Sequence, residues 1–89
     1  MEKLNETVAT NGRGYSLVKR TEDKAMYKSK EGILEVFNIK VAPEQEIYGI
    51  AYPEREIYPN SEDFGKIAWC YNGKTQTSIE MANQRYDGL

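Results

Sequence analysis

The chain has 89 residues, 39% apolar and 11% aromatic, with 12 basic and 14 acidic side chains and a net charge of −2. That length makes one domain, and the interspersed charges exclude the strong field that draws a protein onto DNA or anionic lipid. It has no histidine, the side chain best suited to proton transfer near neutral pH, and no catalytic or metal-binding spacing of Asp, Glu, Ser, Lys or Cys.

Residues 1–13 are polar, with scattered Leu4 and Val8, and run into Asn11-Gly12-Arg13-Gly14. They read as a flexible N-terminal arm ahead of a single domain over 14–89, with a short, marginal helix over 2–9 as the alternative. Three strands follow, at 15–20, 24–29 and 33–41, joined by Thr21-Glu22-Asp23 and by Lys30-Glu31-Gly32, where Gly32 supplies a positive φ. In the third, Phe37, Ile39 and Val41 alternate toward a core, while Leu34 and Val36 cover the opposite face locally. Pro43 ends that strand. Residues 47–59, with three tyrosines and two prolines, read as an excursion with partial strand character.

Asn60-Ser61-Glu62-Asp63 is a cap sequence for one helical turn, closed by Gly65. Lys66 to Tyr71 alternates as a strand, and Asn72-Gly73 turns. Thr77-Ser78-Ile79-Glu80 matches a capping box for a helix ending near Tyr86, with Gly88 as its stop and Ile79, Ala82 and Tyr86 on one stripe. The expected fold is α+β: an antiparallel sheet of four to five strands with one C-terminal helix on one face. Leu17, Phe37, Ile39, Ile67, Trp69, Ile79 and Ala82 form its expected core.

Cys70 lacks an internal partner, and the N-terminal residues contain no apolar signal region. Both point to a reducing, cytoplasmic setting. No apolar run nears the ~20 residues of a membrane span.

Five groups of residues invite a functional reading. Glu54, Glu56, Glu62 and Asp63 are candidate paired carboxylates, but a solvated loop with a capped turn is the plainer reading. Cys70, between Trp69 and Tyr71, reads as a buried structural thiol, since no histidine can act as its base. Gly12-Arg13-Gly14 lacks the remainder of a phosphate loop. No catalytic residue, cofactor or metal is expected.

Lys19, Arg20, Lys24, Lys28 and Lys30, with Tyr15 or Tyr27 as a stacking surface, could hold nucleic acid. Against this stand Glu22, Asp23 and Glu31, and the use of lysine to protect strand edges. The cluster Tyr48, Tyr52, Arg55 and Tyr58 combines residue types common in binding hot spots on a proline-braced segment. Either these side chains face a partner protein or some of them fold back over the sheet. A homodimer through strand edges is a further option.

Four stretches, Tyr15-x-Leu17-x-Lys19-Arg20, Ile33-Leu34-Glu35-Val36-Phe37-x-Ile39, Tyr52-Pro53-x-x-Glu56-x-Tyr58-Pro59 and Asp63-Phe64-Gly65-x-x-Ala68-Trp69, resemble a group of short bacterial proteins associated with phage and conjugative mobile elements. The resemblance spans roughly residues 15–86 and implies a genomic setting rather than a chemistry. Within that setting the expected function is non-enzymatic binding of another protein through residues 47–58, in an accessory or inhibitory role. Nucleic-acid binding through the 19–30 hairpin is the alternative.

Overall fold

The computed structural model describes residues 1–10 and 12–89. Its centre is a five-stranded sheet built from β1 (Thr7–Thr10), β2 (Arg13–Arg20), β3 (Lys24–Ser29), β4 (Ile33–Asn38) and β9 (Ala68–Asn72). They lie in the order β1-β2-β3-β4-β9, every neighbour antiparallel. Both short turns fall where the sequence places them, and Gly32 takes φ +90°. The fold is the expected α+β sheet with one C-terminal helix.

Both faces of the sheet are covered, which corrects the expected core. The helix α1 (Gln76–Gly88) packs on one face, where Met26, Leu34, Val36, Ala82 and Tyr86 are buried and Ile79 is partly buried. On the other face Tyr15, Ala25, Tyr27, Phe37 and Ala68 are buried, with Leu4, Val8, Leu17, Ile39, Tyr58 and Phe64 packed around them. Of the expected core, Phe37 and Ala82 are fully enclosed. Leu17, Ile39, Ile67, Trp69 and Ile79 are half-buried, and Val41 is exposed. The long strand also breaks early, because Ile39 donates its N–H to the Asp23 carbonyl and the chain leaves the sheet.

The N-terminal residues are not a loose arm. Glu2 exchanges backbone bonds with Glu54 and Glu56, Asn5 accepts from the Tyr27 hydroxyl at 2.6 Å, and Thr7–Thr10 forms the sheet edge. An edge strand needs a single apolar side, and Leu4 and Val8 supply it, so the segment looks polar in sequence. Helix α1 is capped by Thr75, whose side chain accepts from the Ser78 N–H, rather than by Thr77. Gly88 lies inside the helix and Leu89 caps its end.

A bulge in β2 decides which way two cations point. Leu17 pairs with Tyr27 and Lys19 with Met26, so Val18 is the extra residue. One added residue reverses the facing of all that follow. Lys19 thus points to the helix side, and Arg20, paired with Ala25, points to the opposite side.

Residues 40–57 leave the sheet as one long, interrupted hairpin. β5 (Lys40–Ala42) pairs with β8 (Arg55–Ile57), and β6 (Gln45–Ile47) pairs with β7 (Ile50–Tyr52). Both ladders keep one register, from Lys40↔Ile57 and Ala42↔Arg55 to Gln45↔Tyr52 and Ile47↔Ile50. Between them sit Pro43 and Pro53, which lack the N–H a ladder needs.

The Gly73 N–H donates to the Gly32 carbonyl at 2.8 Å, and a Cβ at Gly73 would overlap that oxygen. Gly73→Ala should therefore lower unfolding free energy by about 1–3 kcal/mol. Urea melts matching wild type would show that the turn between β9 and α1 tolerates a methyl group against Gly32.

Candidate functional site

The distal hairpin, β6 and β7, is exposed along its whole length. Its substantial packing is between its own two strands. Measured from Pro43 to the tip it extends roughly 17 Å, and the molecule is correspondingly elongated, 49 × 27 × 22 Å. Strand alternation puts Ile47, Ile50 and Tyr52 on one face, with Glu46 and Ala51 on the other. Ile50 is 57% exposed, Ile47 42% and Tyr52 37%. Glu44, Glu46 and Glu54 flank them, and no Lys or Arg occurs between Lys40 and Arg55.

Tyr48 and Gly49 turn the hairpin with φ of +51° and +78°. Two successive positive values are the type I′ arrangement, in which Asn-Gly is the favoured pair. A tyrosine there costs about 1–2 kcal/mol of backbone strain, and nothing in the fold offsets it, since Tyr48 is 99% exposed.

The four residues of the tyrosine–arginine cluster thus divide. Tyr48 and Tyr52 face outward. Tyr58 packs into the core, with its ring 4.9 Å from Phe37, 5.2 Å from Tyr27 and 6.3 Å from Tyr15. Its hydroxyl donates to Glu35 at 2.5 Å, and burial, then that carboxylate, push its pKa far up. Arg55 lies between the two groups. Its guanidinium sits 6.0 Å from the Tyr52 ring, and its Nη1 is buried with no hydrogen-bond partner among the described residues. Such an orphan donor costs on the order of 1–3 kcal/mol.

The basic set is largely occupied within the fold. Lys19 donates to Asn83 and Lys24 to the Tyr86 carbonyl, both at 2.8 Å. Both ammonium groups lie over the Tyr86 ring, at 4.5 and 4.6 Å. They hold the C-terminal end of α1, where the helix dipole favours cations. Arg20 is on the opposite face, committed to Glu56. Lys28 and Lys30 are exposed. Tyr15 and Tyr27 are buried, so neither ring offers a base a stacking surface.

Among the carboxylates, Glu56 overturns the reading of a solvated loop, with its side chain 2% exposed. Arg20 grips both its oxygens, at 2.7 and 2.8 Å, and the Leu4 N–H donates at 2.9 Å. Asp63 and Asn60 do form the expected capped turn, with Lys40 donating to Asp63 at 2.6 Å. Cys70 is exposed rather than buried, because β9 is the sheet's second edge. Partial desolvation of its sulfur, then the Glu35 charge, push the thiol pKa up, away from a nucleophilic thiolate. No cluster of three or more metal-ligating side chains occurs among the described residues, and no helix there is long and apolar enough to cross a membrane.

Sequence reasoning missed a second feature. A cavity of about 380 Å³ opens beside the sheet, lined by Thr10, Glu35, Tyr58, Pro59, Ser61 and Phe64 among others. Its one sequence signal is Glu35, a charged residue on the apolar side of the strongest strand.

Glu56 is held at about 2, chiefly by the Arg20 hydrogen bonds and against the opposing effect of burial. A carboxyl depressed on folding stabilises the protein fully above its ordinary value of 4.5 and ceases to as pH falls through about 2. Glu56→Gln should cost about 3 kcal/mol at pH 7, with the gap to wild type closing over that acidic window. Urea midpoints at several pH values test this; a pH-independent gap would contradict it. Searches among known protein families, curated proteins and solved structures find no match to this chain.

Proposed function

We propose that the chain is a non-enzymatic binding protein whose distal hairpin inserts into an apolar groove on a partner protein, with basic groups on the groove's rim. The observation that carries this reading is Tyr48, a fully exposed aromatic ring held in a strained turn. Backbone strain with no internal benefit belongs where a segment acts on something outside the fold. The one-sided apolar face of Ile47, Ile50 and Tyr52 supports it, since it would be a liability on an unpartnered surface. Glu44, Glu46 and Glu54 supply the rim charge and disfavour nucleic acid or an anionic membrane as the target.

The proline pair lowers the entropy cost of presenting the tip. The resemblance to mobile-element proteins makes an accessory or inhibitory role against a host protein the natural setting, by analogy alone. The carboxylates offer little to an enzymatic reading, because Glu56 and Asp63 are committed to Arg20 and Lys40.

Tyr48→Asn separates recognition from stability. Asn-Gly suits the turn better than Tyr-Gly, so the melting temperature should hold or rise. Partner capture should nevertheless fall sharply, as it should for Ile47→Ser with Ile50→Ser. Captures from source cells, compared by mass spectrometry for wild type and variants, are the test. Identical profiles would remove the hairpin from consideration.

A further inference from the structure

Among the described residues, three polar or charged side chains are buried: Ser29, Glu35 and Glu56. Two are accounted for. Ser29 accepts from the Ile33 N–H, and Glu56 is gripped by Arg20. Glu35 is different. It is 8% exposed, and one oxygen accepts from the Tyr58 hydroxyl. No donor among the described residues reaches its second oxygen, and none of their ion pairs includes it.

A carboxylate has about four acceptor sites, and a buried one without a cation is costly. Occlusion does not explain the vacant sites. The one fully occluded, unpartnered side-chain atom among the described residues is Arg55 Nη1, so the open Glu35 oxygen remains reachable, and Glu35 lines the 380 Å³ cavity.

We propose that this cavity binds a small organic cation, a primary ammonium or guanidinium group, with Glu35 as its counter-ion. The charge of Glu35 disfavours an anion, and a neutral ligand would bring it no ion pair. A hard metal ion would want six or more oxygens, and the lining supplies one carboxylate. Tyr58 and Phe64 provide aromatic walls, whose π-faces attract cations. The volume lies at the small end of ligand cavities, a size that suits a butylamine-like stem. A free amine and the side chain of a lysine or arginine share this chemistry. The proposal is independent of the hairpin reading, since no residue of 40–57 lines the cavity.

The test is an NMR titration of the full chain with n-butylammonium, n-butylguanidinium, a blocked lysine peptide and, as a neutral amphiphile of similar length, n-pentanol. The cations should shift the amides of Thr10, Ser61 and Phe64 with millimolar saturation, and pentanol should not. Glu35→Gln, which can still accept from Tyr58, should weaken binding at least about thirtyfold. Ser61→Tyr fills the mouth without touching the carboxylate and should also abolish the shifts, so the proposal stays testable if the Gln variant fails to fold. Saturation by small amines alone identifies a free ligand, and saturation by the peptide alone identifies a partner's side chain; either supports the proposal. Silent wild-type spectra, equal binding by pentanol, or wild-type affinity in Glu35→Gln would each overturn it.

Discussion

One buried carboxylate joins three stretches of chain that are far apart in sequence. Glu56 binds Arg20 from the sheet and the Leu4 N–H from the N-terminal segment while itself lying at the hairpin base. Remove it and an arginine is left without its fork, a backbone donor without an acceptor, and the hairpin without its closest tie to β2. A buried pair of this kind adds little net stability compared with an apolar substitute. What it adds is uniqueness of arrangement, because few other placements of these strands satisfy every donor. The bulge at Val18 belongs to the same device, since without it Arg20 would point toward the helix.

Two residues further on, Tyr58 does the apolar half of the work. Its ring meets Phe37, Tyr27 and Tyr15, and the chain then enters the capped turn at Asn60. The molecule therefore has two regimes. Everything up to the proline pair is pinned by buried aromatics and charged hydrogen bonds. Everything beyond it is held by a two-stranded ladder that is marginal in isolation. Tyrosine serves both, as packing material at Tyr15, Tyr27, Tyr58 and Tyr86 and as an outward ring at Tyr48.

Local chemistry was the readable part of the sequence. The turns at 21–23 and 30–32, the Asn60 cap and the C-terminal helix each rest on residues within a few positions, and the structure has all of them. Long-range consequences were not readable. Leu34 and Val36 looked like local cover because nothing in alternation says that a helix will lie on them. A bulge leaves no mark in residue type, so the partners of Lys19 and Arg20 were hidden. Glu56 resembled its solvated neighbours because burial of a carboxylate depends on an arginine 36 residues away. The N-terminal edge strand was lost for a related reason: with one apolar side it differs little from a tail. At the candidate site, the division of the tyrosine cluster was open in the sequence, and the cavity above Glu35 had no signal beyond one misplaced charge.

The unbroken register of residues 40–57 sets a rule for how this segment can change in length. Adding or deleting two residues in each strand moves the tip along its axis and leaves Ile47, Ile50 and Tyr52 aimed as they are. A change of one residue in each strand turns that face to the opposite side. Reach and aim are thus coupled by parity, so hairpins of this design would diversify in discrete steps rather than along a continuum.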